Sequence, residues 1–163
     1  LIHTYGDYLY RVAFIYTKDE RVSEEIVQDV FLKFYQTKDR YDGRASLKTY
    51  LTKMTINRSY DYLRSWKHRT FSLLEQFTGT TKGADQHVLQ NEERGEITTA
   101  VLKLPVKYRE VLLLYYYEDL QVNDIAEFLQ VPVSTVKTRL QRAREKLKQI
   151  LPKQQWEVLS DET

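Results

Sequence analysis

The chain has 163 residues, enough for one ordinary domain or two small ones, and its five glycines, three prolines and scarce strand-like alternation favour an all-α protein. The absence of cysteine excludes disulfide bonds and thiolate metal sites and fits a reducing cytoplasm. No apolar run approaches the roughly 18 residues that a membrane span needs. The three histidines are scattered, so we expect neither a metal site nor a cofactor. The chain starts within what looks like a helix, so we expect a short N-terminal piece to be missing.

Positive charge is unevenly distributed, although the net charge is only +2. Residues 44–69 hold seven lysines and arginines against one acid, and residues 133–148 hold six against one. Residues 70–96, between them, hold two basic and five acidic residues. Two basic patches separated by an acidic spacer are typical of a protein that contacts DNA twice.

Residues 1–69 are predicted to form three helices. The first covers residues 5–16. The second is capped by Ser23, and the two glutamates that follow it suit the positive end of the helix dipole. After a loop at residues 41–46, a long third helix covers residues 47–68.

The second half of the chain is predicted to be a separate helical block. One helix ends at Leu104, Pro105 opens another that reaches Tyr117, and a helix-turn-helix follows. The segment between the halves contains the sequence TGTTKG and loses periodicity. We therefore predict two small helical domains at residues 1–69 and 95–152, a flexible linker at 70–94 and a polar tail at 153–163.

Residues 119–151 are predicted to form the helix-turn-helix. Pro132 ends a short helix, and a hydroxyl of Ser134 or Thr135 caps the next one. Gln130 stands where such turns often use glycine, so the turn must hold without that help. Each helix has one apolar stripe, made of Ile125, Ala126 and Leu129 on the first and Val136, Leu140, Ala143 and Leu147 on the second.

The outward face of the second helix carries residue types that pair with phosphates and base edges in a major groove. These residues are Lys137, Thr138, Arg139, Gln141, Arg142 and Arg144. The alternative is a solvated basic face on a structural helix. A short helix, a proline turn and a basic helix occur together here, which favours contact with DNA.

Several stretches of the chain, in sequence order, resemble the small bacterial sigma factors of the extracytoplasmic-function group, group 4 of the sigma-70 family. They are VSEEIVQDVF at 22–31, RYDGRAS at 40–46 followed by LKTYLTKMTINRSYDYLR, LPVKYREVL at 104–112 and VPVSTVKTR at 131–139. The resemblance implies a protein that is not an enzyme. It implies instead a protein that binds core RNA polymerase, brings it to promoters and helps to open the DNA.

The resemblance also assigns roles to individual residues. It places readout of the −35 element on Ser134, Thr135, Lys137, Thr138, Gln141 and Arg142, to which we add Arg139 and Arg144 as phosphate contacts. It places readout and melting of the −10 element on Tyr41, Gly43, Arg44, Ser46, Lys53, Asn57, Tyr60, Asp61 and Arg64. It places contact with the polymerase on Glu24, Glu25, Gln28 and Asp29.

Elementary chemistry supports the −10 assignment. Asn57 can donate to and accept from a base edge, and Asp61 can accept from a base amine. These two side chains share one side of the long helix with several basic ones. The alternative is a polar face that is merely solvated, or a small polar core.

The resemblance implies further partners and a location. Such factors are usually silenced by an anti-sigma factor, often membrane-anchored, so we expect this chain in the bacterial cytoplasm, held at the membrane only through that partner. The main competing hypothesis is a conventional helix-turn-helix regulator that binds duplex DNA without polymerase. It leaves the second basic patch and the acidic helix unexplained. An all-α enzyme lacks support, because no nucleophile motif or phosphate-binding glycine loop is visible.

Overall fold

The computed structural model describes residues 2–70 and 92–152, with side chains described for 2–65 and 95–152. These residues form helices and turns, which confirms the all-α prediction. They belong to two compact units, one in each half of the chain. The predicted linker lies almost wholly outside the described residues and the predicted tail entirely so, and the domain bounds stay a prediction.

Within residues 2–70, the first unit forms three helices and a short 3₁₀ turn. These are α1 (Ile2–Thr17), α2 (Glu20–Thr37), the 3₁₀ turn (Lys38–Arg40) and α3 (Leu47–Thr70). Helix α1 packs against both α2 and α3, and α2 packs against α3. Their buried apolar side chains are Leu9, Val12, Ala13, Phe14, Tyr16, Val22, Ile26, Val30, Phe31, Phe34, Leu51 and Ile56.

The predicted cap of α2 is wrong. Helix α2 begins at Glu20, and its cap is Asp19, whose carboxylate Oδ1 accepts from the backbone N–H of Val22 at 3.0 Å. Ser23 lies within the helix and is fully buried, and its hydroxyl donates to the Asp19 carbonyl oxygen at 2.6 Å. The chain enters the helix early because Lys18 adopts a left-handed conformation (φ 58°) directly after α1.

Between residues 92 and 152, the second unit forms four helices and one turn of π-helix. These are α4 (Glu92–Leu102), α5 (Val106–Leu112), the π turn (Leu113–Tyr117), α6 (Val122–Leu129) and α7 (Val133–Ile150). Helix α7 packs on α5, α6 and α4. All four predicted apolar positions of α7 are buried, as are Ile125 and Ala126 of α6, whereas Leu129 is half-buried.

The predicted cap of α7 is also wrong. Pro132 is the N-cap residue and Val133 begins the helix, and because proline has no polar side chain, no side chain caps α7. The Pro132 carbonyl oxygen accepts from the N–H groups of Thr135 and Val136 at 3.0 and 3.2 Å. Ser134 and Thr135 consequently lie in the first turn of the helix, where Ser134 is exposed and Thr135 is half-buried.

The turn between α6 and α7 holds without glycine, as predicted. Gln130 adopts the left-handed conformation (φ 56°, ψ 48°) that ends α6. The Val131 N–H donates to the Ala126 carbonyl oxygen at 3.0 Å and so closes the helix end. None of the helices within residues 2–70 and 92–152 combines the length and apolarity required to cross a membrane.

Candidate nucleic-acid interface

The outer face of α7 presents most of the residues predicted to contact the −35 element. Ser134, Lys137, Thr138, Gln141 and Arg142 are exposed, and Thr135 and Arg139 are half-buried. A shallow groove of about 250 Å³ runs along this face between α7 and α5. Its lining residues are Lys107, Tyr108, Ser134, Thr135, Thr138, Arg139 and Arg142. The groove combines hydroxyls with cationic groups, which are donors suited to phosphates and base edges.

Lys107 is a member of this groove that the sequence did not suggest. It lies on α5, and its ammonium group is 5.1 Å from the ring centroid of Tyr108. Lys107 is exposed, and the attraction between its ammonium group and the Tyr108 ring keeps this positive charge beside the basic face of α7. A lone lysine in a seven-residue helix has no periodic signal, so only the packing of α5 against α7 identifies it.

Arg144 differs from its neighbours on α7 because it faces the π turn. Its Nε donates to the Tyr116 hydroxyl at 2.8 Å, and its guanidinium carbon lies 5.3 Å from the Tyr115 ring centroid. The side chain is half-buried. Arg144 therefore joins α7 to the π turn, an arrangement that its position in the sequence did not reveal.

The outer face of α3 presents the second set of predicted DNA contacts. Lys53, Asn57, Asp61 and Arg64 are exposed. The Asp61 carboxylate is 3.9 Å from the Arg64 guanidinium, so the two charges partly compensate each other. Tyr60 is half-buried, and its ring meets that of Tyr16 edge to face at a centroid distance of 5.4 Å. One side of Tyr60 is thus held by the core of the first unit.

The loop before α3 is tightly organised by its own hydrogen bonds. The Tyr41 hydroxyl donates to the Ala45 carbonyl oxygen, and Asp42 Oδ1 accepts from the Arg44 N–H at 3.0 Å. Gly43 between them has φ +75°, a conformation that side chains rarely adopt. Ser46 caps α3, because its hydroxyl oxygen accepts from the Thr49 N–H at 3.1 Å.

An aromatic cluster supports one end of this loop. The ring of Tyr41 lies 4.9 Å from that of Tyr50 and 6.5 Å from that of Phe34, measured between centroids. Phe34 is buried in the core, so the cluster connects the loop to α2 and α3. Gly43, Arg44 and Ser46 remain exposed on the other side of the loop, where a nucleic acid can reach them.

The four residues predicted to meet the polymerase, Glu24, Glu25, Gln28 and Asp29, all lie exposed on α2. The local field is acidic near the start of the helix. Burial first, and then the negative charges of Glu20, Glu24 and Asp19, raise the pKa of the Tyr10 hydroxyl. An acidic helix face of this kind complements a basic partner surface.

A cleft between α2 and α3 separates the two predicted surfaces of the first unit. It is lined by Asp29, Val30, Lys33, Met54, Asn57, Arg58 and Asp61. Across it, the Arg58 Nε and Nη2 atoms donate to Asp29 Oδ2 at 3.2 and 3.1 Å. Arg58 and Lys33 were not among the predicted site residues. Lys33 lies one helical turn after Asp29 on α2, so the sequence places those two side chains on one face of the helix. Arg58 is 29 residues away from Asp29, and that spacing gives no hint that these two side chains meet.

Known families match both units. Residues 1–69 match Sigma-70 region 2, and residues 94–147 match Sigma-70, region 4. The two matches together cover about three quarters of the chain. The chain belongs to the sigma-70 family. It is a sigma factor that directs promoter-specific transcription initiation in association with core RNA polymerase.

Individual relatives agree with this assignment. The ECF RNA polymerase sigma factor SigW of Bacillus subtilis (strain 168) is 29% identical to this sigma factor over 93% of this chain and 87% of SigW. The probable RNA polymerase sigma factor RfaY of Xanthomonas campestris pv. campestris is 33% identical over 82% of this chain, a match that spans 35% of RfaY.

The fold is similar to that of a solved sigma factor. The sigma factor RpoE from Bartonella quintana, crystallised with the anti-sigma factor NepR, aligns with a TM-score of 0.71 and 19% identity. The alignment covers 91% of this chain and 92% of that one. Among the described residues, no three His, Cys, Asp or Glu side chains gather as a metal site requires.

Proposed function

We propose that helix α7 of this sigma factor reads the −35 element in the major groove of duplex DNA. The observation that carries this proposal is the groove beside α7, where hydroxyl and cationic side chains converge on the outer face of the helix, and Gln141 is exposed on the same helix. Arg142 and Lys137 supply donors for guanine O6 and N7, and Gln141 suits adenine. Arg139 and Lys107 suit phosphates at the edges of the contact.

Helix α3 and the loop before it read and melt the −10 element. Asn57 and Asp61 lie exposed on one helix face and offer donors and acceptors to base edges, while Lys53 and Arg64 attract the strand backbone. The loop at residues 41–46 receives a base turned out of the stack. Extruding a base costs a few kcal/mol, which contacts in a shaped loop can offset.

The acidic face of α2 docks on core RNA polymerase through Glu24, Glu25, Gln28 and Asp29. This surface lies exposed on a helix whose opposite face is buried in the core, so a partner can reach it without unfolding. The protein performs no catalysis of its own and acts in the bacterial cytoplasm as a member of the extracytoplasmic-function group, group 4. An anti-sigma factor, such as the one that accompanies RpoE, is its inhibitor.

Run-off transcription with purified bacterial core polymerase tests the proposal. Promoter fragments selected from genomic DNA are incubated with the protein, with core polymerase, or with both. We expect specific transcripts only when both are present, because the sequence information lies in one partner and the catalysis in the other. Tight, sequence-specific duplex binding by the protein alone, with no transcript on addition of core, would instead establish a conventional helix-turn-helix regulator.

A further inference from the structure

We propose that Arg58 is a DNA-strand contact that Asp29 holds back until core RNA polymerase binds. The inference deepens the proposed function, on which it rests, because Asp29 belongs to the predicted polymerase surface and Arg58 follows Asn57 on the predicted −10 helix. The ion pair joins these two surfaces directly. The two residues thus form a coupling element between polymerase docking and capture of the separated strand.

The geometry of the pair explains why each partner is occupied in the free protein. One carboxylate oxygen of Asp29 accepts from two nitrogens of the Arg58 guanidinium, at 3.1 and 3.2 Å. This arrangement directs the planar guanidinium towards α2 and away from the outer end of the α3 face. Two of the N–H donors of Arg58 therefore bind a carboxylate in the free protein and are not available to a phosphate.

The pair is also weak enough to exchange. The two side chains are 45% and 49% exposed, so water screens their attraction, and an exposed ion pair contributes little net stability. A partner that offers Asp29 a cationic group therefore competes on nearly equal terms. A phosphate that approaches Arg58 competes equally well from the other side.

The net charge of the cleft becomes more positive when a partner neutralises the Asp29 carboxylate. With the pair intact, the charged groups of the cleft are the carboxylates of Asp29 and Asp61 and the cations of Lys33 and Arg58, which cancel. When a basic polymerase surface neutralises Asp29, the two cations face one carboxylate, and that carboxylate has Arg64 nearby at 3.9 Å. The cleft then becomes net positive, beside Asn57, and attracts the backbone of a single strand.

The coupling is tested by a double-mutant cycle on the full-length protein. The probe is a fluorescent single-stranded oligonucleotide that carries the non-template −10 strand of a promoter transcribed by the wild-type holoenzyme. Its affinity is measured by anisotropy at about 0.1 M salt, with and without saturating core polymerase. Asp29→Asn, Arg58→Gln and the double variant form the cycle, and Asp39→Asn, an exposed acid elsewhere in the same unit, matches the change in charge.

Without core, we expect Asp29→Asn to tighten binding about 1.5- to 5-fold, the range that corresponds to release of an exposed ion pair. The gain should disappear in the double variant and should exceed that of Asp39→Asn. Arg58→Gln alone should change the affinity of the free protein little but weaken binding several-fold when core is present. This core-dependent loss distinguishes a strand contact from a structural role.

Two outcomes would overturn the inference while leaving the proposed function intact. In the first, the effects of Asp29→Asn and Arg58→Gln on the affinity for the oligonucleotide in the absence of core are simply additive. In the second, Arg58→Gln weakens binding equally with and without core. Failure of the wild-type protein to bind core or to support any transcript would instead reject the proposed function itself. Both side chains are exposed, and circular dichroism of each variant checks the helical fold.

Discussion

The Nε atom of Arg144 on α7 donates a 2.8 Å hydrogen bond to the hydroxyl of Tyr116 in the π turn. The guanidinium also lies 5.3 and 5.7 Å from the ring centroids of Tyr115 and Tyr116. A cation over two aromatic rings with one directed hydrogen bond fixes the position of α7 relative to the preceding segment. The basic helix is thereby held in place by one of its own basic residues.

This relationship predicts a loss of stability when either partner changes. Tyr116→Phe removes the hydrogen-bond acceptor and should lower the free energy of unfolding by about 1 kcal/mol, and Arg144→Gln should lower it by about 2 kcal/mol because the ring contacts are lost as well. Urea unfolding followed by circular dichroism measures both. The exposed Arg142→Gln is the control and should change stability by less than about 0.5 kcal/mol. Equal effects of Arg144→Gln and Arg142→Gln would argue against a structural role.

Glu118 makes the second unit sensitive to pH. Burial, together with the negative charge of Asp119, raises the pKa of the Glu118 carboxyl to about 7, and its Oε1 has no hydrogen-bond partner among the described residues. The folded protein therefore favours the protonated acid more than the unfolded chain does. The stability that this preference provides is complete below about pH 4.5, the ordinary pKa, and is lost as the pH rises through about 7.

Replacing this acid should remove the pH dependence. Glu118→Gln should raise the free energy of unfolding at pH 8 by about 1 kcal/mol, less than the full linkage value because the carboxyl is partly exposed to water. The gain should shrink towards pH 5. Thermal unfolding between pH 5 and 8 measures it, with the exposed Glu127→Gln as the control. A gain that is independent of pH would mean that desolvation of the carboxylate is not its cause.

Gln130 stores backbone strain in the turn of the helix-turn-helix. Its φ of 56° is unfavourable for a residue with a Cβ, and its exposed side chain contributes no buried contact. Gln130→Gly should therefore raise the free energy of unfolding by about 0.5–1 kcal/mol, a change measured from urea midpoints. The same replacement at Gln141, inside α7, should lower it by about 1 kcal/mol. Destabilisation at both positions would show that Gln130 is not strained.

Lys137 and Arg142 are predicted to read bases rather than phosphates alone. Alanine at either position should cost about 1–3 kcal/mol of binding at the preferred −35 sequence and relax the choice of base there. Binding of holoenzyme to a panel of −35 variants measures both effects. Lys148→Ala, at the far end of α7, serves as the control and should reduce affinity only slightly and without regard to sequence. A uniform loss for Lys137→Ala or Arg142→Ala would make the residue a phosphate contact.

Asn57 and Asp61 are predicted to act in promoter opening. Both side chains are exposed, so their alanine variants should fold and bind core polymerase normally, yet they should fail to form open complexes. Permanganate reactivity of unpaired thymines at the −10 element reports the opening, and co-migration with core reports the binding. Loss of helical circular dichroism in either variant would show that the residue is structural.

The sequence alone determined most of the helical framework. Apolar spacing depends on the helix period, which is a local property, and it predicted the four buried positions of α7. The sequence also showed that the turn has Gln130 instead of glycine and that α5 begins after Pro105. Both features are visible in the sequence because these residues restrict the conformation of their own backbone. The motif order was sufficient to indicate the family.

Tertiary structure decided how individual side chains are used. The N-cap residues are Asp19 and Pro132 rather than the predicted serine or threonine residues, because the backbone conformation around them determines where each helix begins. Arg144 faces Tyr116 and Arg58 faces Asp29, although 28 and 29 residues separate the partners. Each arginine contacts the tyrosine hydroxyl or the carboxylate that helix packing places within hydrogen-bonding distance. The distance between two side chains that are far apart in the sequence cannot be inferred from their spacing along the chain.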